Sequence, residues 1–214
     1  MTNRYHNNID NATEGSYPVR NCRVYATSMP ASPYSQSAKH DSDFLERESH
    51  DAYEQRTWLN KCSTNSNGHV VIPSMALKQC IDTAAQKLGL KVPNRRGATY
   101  KSYFSSGVLS VEDAVLMLDG EPLTPADADK IVIQANSDGV RGSGKRVPRA
   151  FPVFNRWQAE FDFLITDNII TEAIFEETIK AAGVIVGLGR FRAEKGGRNG
   201  RFNVTRIDWE EFKT

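Results

Sequence analysis

Period-two alternation is clearest from Trp157 to Ile165. Trp157, Ala159, Phe161, Phe163 and Ile165 fall on one side and Gln158, Glu160 and Asp162 on the other, as in a strand with one buried and one wet face. Helical spacing is clearest from Met75 to Leu88, where Leu77, Cys80, Ile81, Ala84, Ala85 and Leu88 recur on one stripe. Pro73 suits the first turn of that helix and Gly89 its C-terminal cap, and the β-branched run Val70-Val71-Ile72 just before makes a strand-to-helix unit. A second stripe, Ile174, Phe175, Thr178, Ile179 and Ala182, follows Thr171 as N-cap. Gly183 is expected to end this helix as a left-handed cap. Val184-Ile185-Val186 then reads as a short buried strand and Phe202 to Ile207 as another.

The remaining segments carry weaker patterns. Val19 to Ala26 is apolar enough for a first strand, with imperfect alternation. Thr27 to Asp43 is dominated by Ser, Ala and Pro, lacks an apolar period, and is expected to form a long loop or a disordered arm. Val111 to Leu118 reads as a helix capped by Ser110, with Asp113 three residues on and Asp119-Gly120 at its end. Thr124-Pro125 opens a helical turn in which Asp127 and Asp129 sit near exposed N–H groups, and Ile131 to Ile133 reads as a strand. Together these elements describe an α+β fold, and 214 residues suffice for one domain with an elaborate insertion.

Charge changes the picture only locally. The chain has 27 Lys+Arg against 26 Asp+Glu, a formal net charge of +1, yet the charges are segregated into blocks. Gly187 to Phe202 holds glycines at 187, 189, 196, 197 and 200 and the cations Arg190, Arg192, Lys195, Arg198 and Arg201 beside a single acid, Glu194. Glycines let a backbone pass close to another backbone or to a phosphate. The cations attract phosphates, and Phe191 and Phe202 offer packing or base stacking, with Phe202 expected in the core. Two more acid-free basic segments recur: Lys91, Arg95, Arg96 and Lys101 beside Tyr100 and Tyr103, and Arg141, Lys145, Arg146 and Arg149. The stretches Glu46 to Glu54 and Glu112 to Asp129 are acidic. An isolated basic loop is usually a solvated hairpin; recurrence in three segments favours a polyanion-binding surface.

Several other chemistries drop out. Cys22, Cys62 and Cys80 form no C-x-x-C pair, which suits a reducing compartment better than a disulfide framework or a zinc site. No targeting segment and no run of eighteen apolar residues is present, so a cytoplasmic protein without membrane attachment is expected. Gly139 to Lys145 fits the first seven positions of a P-loop, but Arg146 stands where the Mg²⁺-binding hydroxyl should be and Pro148 follows. Arg192 occupies the third-glycine position of a dinucleotide loop. His6, His40, His50 and His69 lack metal-ligand spacing. No cofactor, metal or catalytic residue is therefore expected. His50 or His69 as general base of a metal-independent endoribonuclease is the enzymatic alternative. Trp58 and Trp209 are expected to be packed.

Two segments resemble the RAMP superfamily of CRISPR-associated RNA-binding proteins, especially the backbone subunits that polymerise along a guide RNA. Gly187-Leu188-Gly189 through Gly200-Arg201-Phe202 resembles that family's C-terminal glycine-rich loop. Val71-Ile72-Pro73-Ser74-Met75-Ala76-Leu77-Lys78 resembles its strand, Ile-Pro turn and helix with an early basic residue. The resemblance implies a ferredoxin-like (RRM-like) βαββαβ core. On this basis residues 1–57 are a polar segment with a candidate first strand, and 58–214 are the RAMP-like domain with an insertion at about 90–150. It also implies a non-catalytic partner for single-stranded RNA, or DNA, in which Lys78 joins the three basic segments. Self-association along the strand or contact with CRISPR effector subunits would follow. A phage-encoded relative that mimics or blocks an effector subunit, as an anti-CRISPR would, is the alternative of a different class.

Overall fold

The computed structural model describes residues 19–136 and 145–211. In chain order its elements are β1 (Arg20–Ser28), β2 (Tyr34–Ser35), α1 (His50–Thr57), β3 (Val71–Ile72), α2 (Ser74–Leu88), α3 (Lys101–Gly107) and β4 (Val108–Ser110). Then follow β5 (Ala114–Val115), β6 (Met117–Leu118), β7 (Glu121–Pro122), β8 (Asp129–Asn136), β9 (Arg146–Phe154), β10 (Gln158–Ile165), α4 (Glu172–Ala181) and β11 (Phe202–Glu211). Among the described residues no helix is long and apolar enough to cross a membrane.

The main sheet is antiparallel, with β1 between β11 and β10. The far edge of β10 is shared by β4, which pairs with Phe163–Ile165, and by β6, which pairs at Gln158 and continues into β7. The period-two face expected from Trp157 to Ile165 is fully buried. It meets Val24 of β1 and the stripes Leu77, Cys80, Ile81 and Ala84 of α2 and Phe175 and Ile179 of α4. Ring contacts at 5.4 Å join β10 to β11 through Phe161 and Phe202 and β10 to α4 through Phe163 and Phe175. Each such side chain contributes about 2 to 3 kcal/mol on burial. Trp209 lies against Phe175 at 5.4 Å, and all three cysteines are buried free thiols. The opposite sheet face is polar, with Arg23 bridging Asp162 at 2.8 Å.

A second sheet, ordered β2-β9-β8, stands beside the first. The segment expected to be a loop or disordered arm supplies β2, and Ser32, Tyr34, Ser35 and Gln36 are buried there. Tyr34 packs edge-on against Trp157 at 6.1 Å, and the Met29 amide donates to Arg201 O at 3.0 Å. A segment poor in apolar residues is ordered here because its backbone groups pair with another segment.

Three further expectations are corrected. Val111 to Leu118 is not a helix but runs through β5 and β6. Asp113 does act as a cap, but on a different helix: its Oδ1 accepts from the Ser74 amide of α2 at 2.8 Å. Asp119 and Gly120, at φ 52 and φ 90, turn β6 into β7 as an Asp-Gly hairpin does. Gly183 is not a left-handed cap. It lies inside a π-helical turn, Ala182–Val186, where a Cβ would stand 2.2 Å from the Phe202 carbonyl oxygen. Val184 and Ile185 belong to that turn rather than to a strand, and both are exposed. Three apolar residues are too few to separate the two periods.

The second sheet is fixed by a buried ion pair. Lys61 Nζ donates to Glu54 Oε2 at 2.5 Å and to Ala150 O at 2.7 Å, and Glu54 accepts from the Ala150 amide at 2.8 Å. Burial alone would raise the Glu54 pKa; the bonds from Lys61 and Ala150 and the charges of Lys61 and Arg149 outweigh it and hold the carboxyl below its ordinary range. A carboxyl depressed in the folded state contributes stability that is present above its unfolded value, about 4.3, and lost as pH falls through the folded value. Glu54→Gln, which strands the Lys61 charge, is expected to cost about 3 kcal/mol at pH 7. The gap to wild type should narrow below pH 4, as thermal melts at the two pH values would show. An unchanged melting temperature at pH 7 would contradict this role.

Candidate nucleic-acid interface

The glycine-rich loop leaves the π-turn at Gly187 and returns to the sheet at Phe202. It is a docked ribbon: the Arg190 amide donates to Ser35 O at 2.6 Å, the Gly200 amide to Pro33 O at 2.9 Å, and the Leu188 amide to Gly200 O at 3.0 Å. Ser32 Oγ adds a bond to Arg198 O at 2.9 Å. Gly187, Gly189, Gly196 and Gly200 take positive φ, and Gly197 does not. Gly189 is doubly constrained, since its φ is +73 and a Cβ would stand 2.3 Å from Ser35 O.

The loop faces the β8–β9 hairpin across an open groove of about 560 Å³, whose walls include Arg146, Arg190, Phe191, Arg192 and Lys195. Arg190 lies at its floor, with its guanidinium carbon 3.9 Å from the Phe151 ring centroid and 4.7 Å from that of Phe191. Its Nε is buried without a hydrogen-bond partner. Burial, and then the nearby Arg149 charge, lower the Arg190 pKa against the pull of Glu54. Lys61, Arg149 and Arg190 thus gather around one carboxylate, Glu54, and leave a positive excess beneath the groove. Phe202, by contrast, is core.

The other candidate positions are dispersed. Lys78 is held by Asp82 at 2.6 Å and by Phe104 O at 2.9 Å, so it joins α2 to α3. Arg149 donates to Glu54 at 3.2 Å from below the groove, and Arg201 to Val184 O at 3.0 Å. Arg95 donates to the Tyr103 hydroxyl at 2.8 Å. Arg96, Lys101, Lys145 and Arg198 are exposed, and none of them lines the groove. Arg141, like most of the P-loop-like segment, lies outside the described residues. Within the groove, Arg192 and Lys195 share Glu194, at 3.0 and 3.1 Å, and Arg146 reaches Gln134 O at 3.0 Å. His50 and His69 are not among the lining residues. Among the described residues no group of three or more His, Cys, Asp or Glu side chains could hold a metal ion.

Sequence reasoning missed Ser35, Glu54, Lys61 and Phe151, on which the groove is built. Phe151 sits between Arg149 and Pro152, and the prolines hid β9. Ser35, Glu54 and Lys61 carry no local signal: Glu54 and Lys61 bond each other across 7 positions, which is neither helical nor strand spacing, and their bonds to Ala150 and the Ser35 bond to Arg190 span 89 to 155 positions.

The fold is a mixed α/β arrangement of antiparallel sheets. No family model matches the chain, and no curated protein matches it. Among solved structures it superposes on a chain of the cryo-EM structure of the type III-B Cmr-beta bound to cognate target RNA. The TM-score is 0.53 at 13% identity, with 92% of this chain covered. The protein spans 62% of the length of that chain. A second similar structure is Cmr6 from Pyrococcus furiosus, at TM-score 0.48 and 14% identity, covering 88% of this chain and 98% of that one. The first likeness shows a shared overall fold.

Because Gly189 combines positive φ with backbone contact, Gly189→Val is expected to lower the melting temperature and to detach the loop from β2. The loss should be the same at low and high salt, since its cause is steric. Thermal melts at two salt concentrations test this, and a variant as stable as wild type would refute it.

Proposed function

We propose that the protein is a non-catalytic binder of single-stranded nucleic acid, RNA in preference to DNA, built on a RAMP-like scaffold with a ferredoxin-like core. The observation that carries this reading is the groove in which Arg146, Arg190, Arg192 and Lys195 converge beside an exposed aromatic ring. Cations along a groove hold a phosphate backbone, and aromatic faces take unpaired bases. The scaffold reading is supported by the strand order β11-β1-β10-β4, with α2 and α4 packed on one face. That is the order expected of a split βαβ unit. The fold likeness to a chain from a structure bound to target RNA supports an RNA partner, and contact with CRISPR effector subunits or with further copies along the strand belongs to the same proposal.

The binding surface differs from that of an RNA-recognition module, which stacks bases on its open sheet face. Here that face presents Glu160, Asp162, Asp208 and Glu210, with Arg23 and Arg206 already paired to acids. Phosphates are repelled there, and the loop side is left to bind.

Fluorescence anisotropy should show tighter binding to a single-stranded RNA homopolymer than to duplex. The combined Arg146→Ala, Arg192→Ala and Lys195→Ala variant should melt as wild type. It should flatten the slope of log affinity against log salt by about 0.7 per lost contact, roughly two units in all. Equal or tighter binding to duplex, or an unchanged slope, would overturn the reading.

A further inference from the structure

We infer that Phe191 is a stacking platform for one unpaired nucleobase, whose phosphate is held by Arg190 on the floor of the same groove. The inference rests on the reading of the groove as a nucleic-acid site and adds what the site recognises: a base, not the backbone alone.

The backbone at Phe191 is the first observation. Its φ is +55, a region that bulky side chains rarely adopt and that glycine or asparagine would occupy with less strain. The conformation is bracketed by hydrogen bonds. The Phe191 carbonyl accepts from the Asn199 amide at 3.0 Å, and the Arg190 carbonyl just before it accepts from Asn199 Nδ2 at 3.0 Å. What the strained backbone achieves is outward display. Phe191 stays 42% exposed, while Phe202 at the end of the same loop is 1% exposed. Core packing does not account for a phenylalanine held in this way, and strain at an exposed side chain points to a ligand.

The surroundings are the second observation. The ring meets Phe151 edge-on at 6.4 Å, and the Arg190 guanidinium lies over both rings. A guanidinium beside an aromatic face makes a composite surface on which any flat base can stack. The groove's 560 Å³ falls within the range of small-ligand sites, about 300 to 1,000 Å³. The buried, unpartnered Nε of Arg190 and the excess of Lys61, Arg149 and Arg190 over Glu54 call for an anion next to that surface. A base beside a phosphate is one nucleotide, and its base must be unpaired, because a paired base is already stacked within its own helix.

The test compares a labelled oligoadenylate RNA with an abasic oligomer of equal length and charge, using the full chain. Phe191→Leu, which keeps apolar bulk without an aromatic face, should weaken binding to the intact oligomer about tenfold. It should leave abasic binding and the salt slope unchanged. Phe191→Trp should retain affinity, and its emission, relative to wild type, should fall on adding the intact oligomer and not the abasic one. Wild type should prefer the intact oligomer by a similar factor, a comparison that holds even if Phe191→Leu proves unstable. Equal wild-type affinity for the two oligomers, or a Phe191→Leu variant that binds oligoadenylate as wild type does, overturns the stacking site and leaves the phosphate-binding groove standing. Failure of wild type to bind either oligomer removes the nucleic-acid reading, and the stacking site with it.

Discussion

Ala150 sits in β9 with its amide and carbonyl turned away from β8, where a neighbouring strand would ordinarily pair with them. Glu54 accepts from that amide and Lys61 donates to that carbonyl, so a buried ion pair takes the place of a strand partner. The substitution explains the prolines of β9. Pro148 and Pro152 share the parity of Ala150, so the N–H groups they lack would point to this same unpaired edge, and the ladder to β8 remains intact across Gln134 and Lys130. A buried ion pair adds little to stability unless its remaining valences are filled. Here the Ala150 groups and Arg149 fill them, and Lys61 lies 4.7 Å from the Phe151 ring centroid.

Everything on the loop side follows from that arrangement. The pair holds α1 and the turn Trp58–Lys61 to β9 and thereby sets the position of Phe151, which is fully buried and carries the Arg190 guanidinium. From the other direction β2 pairs with Val153 and Phe154 of β9 and accepts the Arg190 amide through Ser35. The hairpin and the glycine ribbon are therefore tied to a common two-residue strand. The position of the groove between them is thus set by backbone bonds on both sides. Polarity is divided accordingly, with acids on the open sheet face and cations on the groove. At physiological ionic strength charges more than about 8 Å apart are largely screened from each other, so a net charge of +1 describes neither surface.

The long periodic elements were legible in the sequence because burial of one face determines them: β10, α2 and α4 follow from apolar spacing alone. The elements that build the groove were not legible. β2 is two residues in a Ser- and Pro-rich stretch and is ordered by backbone bonds that leave no trace in composition. β9 was hidden by its prolines. The Ser110-x-x-Asp113 spacing suggests a cap on the following segment, yet Asp113 caps α2, 39 residues earlier. Local chemistry identified the right group in that case and the wrong partner.

The same distinction governs the basic residues. Lys78, in the segment that resembles a family motif, is neutralised by Asp82 and pinned to α3, whereas Arg146, outside that motif, lines the groove. Arg149 and Arg190 are both basic positions flanking aromatic ones, but Arg149 has a carboxylate at 3.2 Å and Arg190 has an unpartnered nitrogen. A cation with a carboxylate of its own attracts a phosphate weakly, whereas Arg192 and Lys195 divide the single carboxylate of Glu194 and the buried Nε of Arg190 has no partner, so the groove keeps positive charge to offer. Charge runs reveal where cations are concentrated; tertiary pairing decides which of them are left to bind, and in this fold the decision turns on how few acids reach the floor beneath Phe191.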